Sequence, residues 1–233
     1  MPDATAPHTP TTEDRPYLSA MGNPRLLPFY DVFTRLAGAR TVQWQLVAQA
    51  GIAPGQTVLE IGAGTGSVLL LAKRAVGSAT VVGLDPDLWA LGVARHRAAR
   101  EDLDVRLDHG YADRLPYPDG SVDRVLSAFM LHHLPGAEKA AALREVHRVL
   151  TPGGSLHLVD LNGQRPGAVG RLLHRRHGHG EKSAGDRAAL RRVGLASAEE
   201  VVRLMLEAGF DDAVAVGRRR TAVGTVTFYR AAR

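Results

Sequence analysis

Residues 58–66 read VLEIGAGTG, a short apolar run that ends in an acid and opens into a glycine-rich turn. Gly62, Gly64 and Gly66 alternate with other residues directly after the run. Glycine loses more backbone freedom on folding than any other residue, so it suits places where the chain turns tightly or approaches a ligand closely. The stretch therefore predicts a buried strand that turns sharply into a helix beside a bound molecule.

The same strand-then-helix pattern extends through most of the chain. TVLEIGA, ATVVGLD, DVRLDHG, VDRVLSAFML and SLHLVDL are short apolar runs that predict strands, with TPGG as a turn before the last of them. Helical segments with apolar faces separate most of these runs, which predicts a doubly wound, mostly parallel α/β sheet. Near the C-terminus, SAEEVVRLMLEAGF predicts a helix, and DAVAVGRRRTAVGTVTFYRAAR predicts two antiparallel strands joined by a turn around GRRR.

The 233 residues suit one α/β domain with additions. Residues 1–16 are rich in Pro, Thr and Ala and predict a disordered tail, and residues 17–51 predict an N-terminal helical lid. Residues 52–233 form the predicted ligand-binding domain, with a basic lid insertion at about 164–195.

Composition narrows the classes of function. The chain has no cysteine, which excludes disulfides and thiolate nucleophiles and fits a cytoplasmic protein. The polar residues 1–16 do not resemble a signal peptide, and no apolar run is long enough to span a bilayer. The net charge of +5 is concentrated in residues 171–194, and it leaves nucleic acid, an anionic substrate or a merely arginine-rich composition open.

Two acids accompany the glycine loop. Glu60 lies two residues before Gly62, a poor place for an acid beside a pyrophosphate but a good one beside an amino group or a cation. Asp85 follows the second strand, about twenty residues after the loop, where an acid can accept the hydroxyls of a ribose. Pro86 can then present an apolar face to an adenine. A loop with only a packing role, and Asp85 as a simple helix cap, are the alternatives.

The segments VLEIGAGTG, GLDPD, LPYPDGSVD, LHHLP and LREVHRVLTPGGSLHLVD resemble, in this order, the motifs of class I S-adenosylmethionine-dependent methyltransferases. The most similar branch is the ubiquinone/menaquinone-biosynthesis type, which contains small-molecule enzymes, and the resemblance covers residues 30–162. It implies a Rossmann-like sheet of seven strands whose last strand is antiparallel. It also implies S-adenosyl-L-methionine as cofactor and S-adenosyl-L-homocysteine as product.

The resemblance also assigns cofactor contacts. Glu60 and the glycines would hold the methionine end, and Asp85 the ribose. The family often has Gly-Asp-Ala at the adenine, whereas Tyr111 takes the Asp position here, so Tyr111 would stack on the ring or donate its hydroxyl while Asp113 lies two places later. The predicted cofactor residues are Tyr30, Glu60, Gly62, Ala63, Gly64, Gly66, Asp85, Pro86, Tyr111, Ala112, Asp113 and Ser127.

A histidine and an acid are the candidates for catalysis. His132 follows the fourth predicted strand and Asp160 ends the fifth, so both lie at one edge of the sheet. A hydroxyl acceptor needs a base to remove its proton, whereas an amine or an activated carbon does not. A His/Asp pair at these positions serves as base and orienter in some sugar O-methyltransferases of the family. The alternative is that LHHL only caps a helix or contacts the cofactor.

Two further groups of residues, a histidine- and arginine-rich stretch and a set of N-terminal aromatic residues, allow only general predictions. HRRHGHG brings three histidines together, but the flanking arginines repel a cation and no acid completes the set, so no metal site is predicted. The arginines suit a phosphate or carboxylate on a substrate. The candidates for a hydrophobic lid, or for ordinary core, are Phe29, Tyr30, Phe33 and Trp44.

The predicted function is methyl transfer to an oxygen, nitrogen or carbon of a secondary metabolite, quinone or lipid precursor. A nucleic-acid methyltransferase is disfavoured because the chain has no Asn/Asp-Pro-Pro-aromatic motif. A repurposed cofactor-binding scaffold, such as a cyclase or regulator, is an alternative that Tyr111 prompts, and a dinucleotide enzyme is a more distant one. The expected partner is a small molecule, and a homodimer is left open.

Overall fold

The computed structural model describes residues 39–161, 196–222 and 224–233. The strands are β1 (Thr57–Ile61), β2 (Thr80–Asp85), β3 (Arg106–His109), β4 (Val122–Ala128), β5 (Leu150–Leu161), β6 (Val214–Arg220) and β7 (Thr225–Ala232). The helices are α1 (Ala39–Ala50), α2 (Ser67–Ala75), α3 (Leu88–Arg100), α4 (Gly136–Val149) and α5 (Ala198–Glu207), with a 3-10 helix at Leu131–His133.

The seven strands form one sheet in the order β3-β2-β1-β4-β5-β7-β6, which confirms the predicted α/β architecture. Strands β1 to β5 are parallel to one another, and β7 runs antiparallel to both β5 and β6. The chain reverses its direction of travel across the sheet between β1 and β4. Ligands of open α/β sheets bind at the carboxyl ends of the strands at such a reversal.

Apolar clusters cover both faces of the sheet. One cluster joins α4 and α5 to the sheet through residues such as Leu143, Val146 and Met205. The other joins α1 and α2 to the opposite face through residues such as Leu46 and Leu69. Strands buried on both sides explain why β1 and β2 are nearly continuous apolar runs. None of the helices in the described ranges has the length and apolarity that a bilayer crossing requires.

The glycine-rich turn has the geometry that its sequence predicts. Gly62, Gly64 and Gly66 have φ values of 70°, 51° and 79°, in the left-handed region that favours glycine. A Cβ on Gly66 would lie 3.0 Å from the Cβ of Ala94, so this glycine lets α2 begin close against α3. The turn therefore combines backbone freedom with close packing of two helices.

Two predictions of turns are wrong. The stretch TPGG lies within β5, because the pairing steps from Val122↔Leu150 to Arg124↔Ser155 and the additional β5 residues form a bulge. Gly153, with φ 80°, makes this bulge possible. The stretch GRRR lies within β6 and pairs with β7, and the turn follows at Thr221, whose N–H donates to the Gly224 carbonyl at 2.8 Å. Long arginine stems suit an exposed edge strand.

Several predictions fall outside the described residues. These are the tail at 1–16, all of the lid before residue 39, the insertion at about 164–195, the HRRHGHG histidines, and the aromatic residues Phe29, Tyr30 and Phe33. Trp44 lies on α1, where 49% of its surface is exposed, so it is not an ordinary core residue.

Candidate active site

The glycine loop is tied to the end of β2 by hydrogen bonds. The N–H groups of Gly62 and Ala63 donate to the Leu84 carbonyl at 2.8 and 3.1 Å. The Gly64 N–H donates to Oδ2 of Asp85 at 2.8 Å. Each carboxylate oxygen has more than one acceptor position. Asp85 therefore orders the loop and still has acceptor capacity for a ligand.

Asp85 is not the cap of the following helix. Asp87 has that role, because its Oδ1 accepts the N–H groups of Trp89 and Ala90 at 3.0 Å each. Asp85 instead accepts the Asp87 N–H on its Oδ1 at 2.8 Å and is only 8% exposed. Burial raises the pKa of the Asp85 carboxyl above its usual range, and the N–H groups of Asp87 and Gly64 partly offset this rise. The capping alternative for Asp85 is thus excluded.

Two buried polar atoms beside the loop have no hydrogen-bond partner within the described residues. They are Oε2 of Glu60, which is 2% exposed, and Oγ of Ser127, which is fully buried. Glu60 lies on β1 opposite Leu126 of β4, so the two atoms belong to neighbouring strand ends. Burial raises the pKa of the Glu60 carboxyl well above its usual value, and the nearby Asp85 charge adds to the rise. Unpaired buried polar atoms are costly, so they indicate a ligand with polar groups.

The glycines of the loop contribute in different ways. A Cβ on Gly62 would lie 2.3 Å from Cγ of Met130, so the side chain that follows β4 packs directly on this glycine. A Cβ on Gly64 would meet nothing within 4 Å, so this glycine borders open space. Gly62 therefore serves packing, and Gly64 leaves room for an approaching molecule.

We expect the two glycines to respond differently to alanine. Gly62→Ala should destabilise the protein by about 2–4 kcal/mol, because the added methyl overlaps Met130 and the backbone φ is positive. Gly64→Ala should cost only the backbone strain, about 1 kcal/mol, but should weaken ligand binding at least tenfold. Thermal denaturation and binding titration of both variants measure these effects. Equal losses of stability, or full ligand affinity in Gly64→Ala, would contradict the assignment.

Predicted residues also meet at the ends of β2 and β3. Pro86 and Tyr111 are half-buried, and both contact His109, a residue that sequence patterns did not single out. Nε2 of His109 lies 3.2 Å from the Pro86 carbonyl, and its ring packs edge-on against Tyr111. Ala112 and Asp113 are half-buried in the turn that follows, and Ala112 packs against the core.

His132 and Asp160 are in direct contact, as their positions after β4 and in β5 predict. Nδ1 of His132 lies 2.5 Å from Oδ1 of Asp160, and the His132 backbone N–H donates to Oδ2 at 2.8 Å. The Leu161 N–H also donates to Oδ1, at 2.7 Å. Asp160 is 4% exposed, so its carboxylate is shielded from solvent, and both of its oxygens accept hydrogen bonds. The contact fixes Nδ1 as the protonated ring nitrogen and leaves Nε2 as an acceptor.

His133 and Tyr229 lie near this pair. The His133 ring centroid is 4.0 Å from that of His132, and burial, with a smaller contribution from a positive charge on His132 when one forms, lowers the pKa of His133 to about 4. His133 is therefore neutral near pH 7. Tyr229 is fully buried on β7, where burial raises its pKa to about 12 with a further contribution from Asp160. Sequence reasoning missed Tyr229, because a tyrosine in a terminal strand carries no distinguishing pattern.

Comparisons with known proteins agree with this geometry. A family model described as "Methyltransferase domain" matches residues 58–154. Demethylmenaquinone methyltransferase of Thermus thermophilus is 35% identical over 153 residues, which cover 64% of this chain and 68% of that protein. Methyltransferase GfsG of Streptomyces halstedii is 36% identical over 127 residues, or 54% of this chain and 44% of that one.

A solved structure supports the fold. Phosphoethanolamine N-methyltransferase 2 of Haemonchus contortus, in complex with S-adenosyl-L-methionine, superimposes with a TM-score of 0.71 at 17% identity. The match covers 92% of this chain and 58% of that one. With the glycine loop, its two acids and the sheet order in place, the chain belongs to the class I S-adenosylmethionine-dependent methyltransferases, in the small-molecule branch of the ubiquinone/menaquinone-biosynthesis type.

Proposed function

We propose that this chain methylates a small molecule that must lose an O–H proton to react, and that His132 removes this proton. The observation that carries the proposal is the 2.5 Å contact between Nδ1 of His132 and Oδ1 of Asp160. A buried, oriented histidine of this kind is unnecessary for an amine that is already nucleophilic. The acceptor class we favour is therefore a phenol, a reduced quinone or a sugar hydroxyl.

The cofactor would lie along the carboxyl ends of β1, β2 and β3, with Ser127 of β4 beside Glu60. Glu60 and Ser127 have the unpaired buried atoms that suit the ammonium and carboxylate of its methionine end. Asp85 retains acceptor positions for the ribose hydroxyls, and Gly64 leaves open space beside them. When bound, S-adenosylmethionine supplies an electrophilic methyl group on a sulfonium centre. The residues present therefore fit this cofactor.

The chain's own residues handle the proton. Asp160 holds the Nδ1–H of His132, so Nε2 is the nitrogen that accepts the proton from the acceptor hydroxyl. The buried carboxylate then stabilises the imidazolium that forms. His133 stays neutral beside it, because burial lowers the pKa of His133 to about 4. A neutral neighbour adds no positive charge that would oppose proton uptake by His132.

An acceptor panel tests the proposal. Release of S-adenosylhomocysteine would be followed with reduced demethylmenaquinone, a catechol, a sugar and a primary amine as acceptors. The first probe is chosen because the Thermus relative has that quinone in its name. We expect turnover with at least one O–H acceptor and none with the amine. Turnover with the amine alone, unaffected by loss of His132, would overturn the assignment of a base.

We propose a cytoplasmic protein that acts on small molecules and not on nucleic acid. The absence of cysteine supports that compartment. The names of two similar proteins contain a small molecule, demethylmenaquinone and phosphoethanolamine, although basic residues are numerous in this chain. Retention on immobilised RNA or DNA that falls steeply with salt would argue against the small-molecule assignment.

Replacing Asp85 by alanine should weaken cofactor binding at least tenfold. The variant loses the ribose acceptor and also the bond that holds the Gly64 N–H at 2.8 Å. Isothermal titration with S-adenosylhomocysteine measures the change. Asp87→Ala is the matched control, since it removes the cap of α3 but leaves the Asp85 carboxylate in place. Unchanged affinity in Asp85→Ala would refute the ribose assignment.

A further inference from the structure

His109, the last residue of β3, donates a side-chain hydrogen bond to a backbone carbonyl. His109 pairs with Asp85 in the parallel register of β2 and β3, so its Cα lies beside the proposed ribose acid. Nε2 of His109 lies 3.2 Å from the carbonyl oxygen of Pro86. A carbonyl oxygen only accepts hydrogen bonds, so Nε2 carries the hydrogen and donates it. The side chain therefore links β3 to the residue that follows β2.

The same imidazole also contacts Tyr111. The two ring centroids are 6.3 Å apart and the planes are inclined by 70°, an edge-to-face arrangement. The Gly110 N–H donates to the Asp85 carbonyl at 3.2 Å, which fixes the chain between the two rings against β2. His109 thus contacts Pro86 through its nitrogen and Tyr111 through its ring.

Strand order indicates which part of the cofactor reaches these residues. Asp85 ends β2, and the glycine loop with Glu60 lies on the β1 side of it. If the amino-acid end occupies that side and the ribose lies at Asp85, the base extends from the ribose toward β3. His109 ends β3 and Tyr111 follows two residues later, and the His109 ring contacts both the Tyr111 ring and the Pro86 carbonyl.

We propose that His109 is a positioning residue that holds Pro86 and Tyr111 as two walls of the base-binding pocket. The proposal rests on the proposed cofactor site. Pro86 presents an apolar face and Tyr111 an aromatic one, and a flat base between such surfaces is held by stacking. His109 acts through these two residues and does not itself touch the reacting atoms.

A pair of ligands that differ only in the base tests this role. S-adenosylhomocysteine contains the base, and S-ribosylhomocysteine contains the same ribose and amino-acid end without it. We expect His109→Ala to weaken binding of S-adenosylhomocysteine about tenfold, as for loss of a partly buried hydrogen bond and a ring contact. Binding of S-ribosylhomocysteine, measured by competition, should change by less than about twofold.

Two further variants distinguish the loss of the His109 hydrogen bond from a general effect of substituting a histidine. In His109→Gln an amide N–H can replace the Nε2–H toward Pro86, so part of the affinity for S-adenosylhomocysteine should return. His96→Ala, an exposed histidine on α3, should change neither affinity. Thermal denaturation of every variant verifies that it is folded.

Equal losses for both ligands in His109→Ala would overturn the proposal, because His109 would then act on the ribose or on the whole site. Unchanged affinity for both ligands would also overturn it. If the unaltered protein bound neither ligand, the proposed cofactor site itself would fail. That failure is distinguishable, because it appears before any substitution is made.

Discussion

Replacing His132 by alanine should lower kcat by about 100- to 10,000-fold while the cofactor Kd changes by less than about twofold, the range usual for loss of a general base. The physical reason is the contact of its Nδ1 with Asp160 at 2.5 Å, which prepares Nε2 to accept a proton. Among the described residues, no hydrogen bond joins the His132 side chain to Glu60 or Asp85, so the substitution should leave the affinity for the cofactor nearly unchanged. Stopped assays of S-adenosylhomocysteine release, with titration of the cofactor, measure both quantities.

A second substitution distinguishes the role of His132 as the base from the role of Asp160 as the residue that orients it. Asp160→Asn keeps the shape of the side chain but removes the charge that stabilises the imidazolium, so kcat should fall, by less than in His132→Ala. The exposed His96→Ala serves as the control and should retain full turnover. A His132→Ala variant that turns over at the full rate would show that the acceptor reacts without a base at this position.

Replacing Glu60 by glutamine should weaken cofactor binding by about 10- to 100-fold, the scale of a buried charge-assisted hydrogen bond. The carboxyl is 2% exposed and its Oε2 has no partner in the described structure. A cationic ammonium would hold it ionised, whereas glutamine offers no charge. Titration calorimetry in buffers of different ionisation enthalpy should also detect proton release when the unaltered protein binds cofactor, and none in the variant.

The same substitution should have a distinct effect on stability without cofactor. The Glu60 pKa in the folded protein lies well above the usual 4.5, so the folded state binds more protons than the unfolded chain between these values. The free energy of unfolding therefore falls as pH rises through that window. Glu60→Gln has no such dependence and should melt at or above the temperature of the unaltered protein at pH 8. Glu207→Gln, on the exposed side of α5, is the control. Full cofactor affinity in Glu60→Gln would refute the assignment.

Local spacing and the rules of parallel sheets account for what could be predicted. The spacing of Gly62, Gly64 and Gly66 after an apolar run locates the first strand and the start of the next helix. Asp85 follows from its distance to that loop, because strand and helix lengths are nearly constant in such units. His132 and Asp160 meet because the ends of two parallel neighbouring strands must lie at one edge of the sheet.

Other contacts depend on side-chain directions that no local pattern encodes. Met130 packs on Gly62 because Phe129 has a left-handed φ of 57°, which redirects the chain directly after β4. In sequence, His109 in the short strand β3 resembles an ordinary solvent-exposed residue. Only the structure shows its hydrogen bond to the Pro86 carbonyl. The arginines of β6 look like a turn in sequence, and only pairing with β7 makes them a strand.

The strand order has a consequence for how such an enzyme can change. Glu60, Asp85 and His109 all belong to the half of the sheet formed by β1, β2 and β3. His132 and Asp160 belong to the half that begins at β4. On the proposed assignment, substitutions beyond Met130 can alter which molecule is accepted while the methyl donor stays the same, because Ser127 on β4 and Met130, which packs on Gly62, remain in place. Exchange of the segment from Leu131 onward between relatives is thus a route to new acceptors with an inherited donor site.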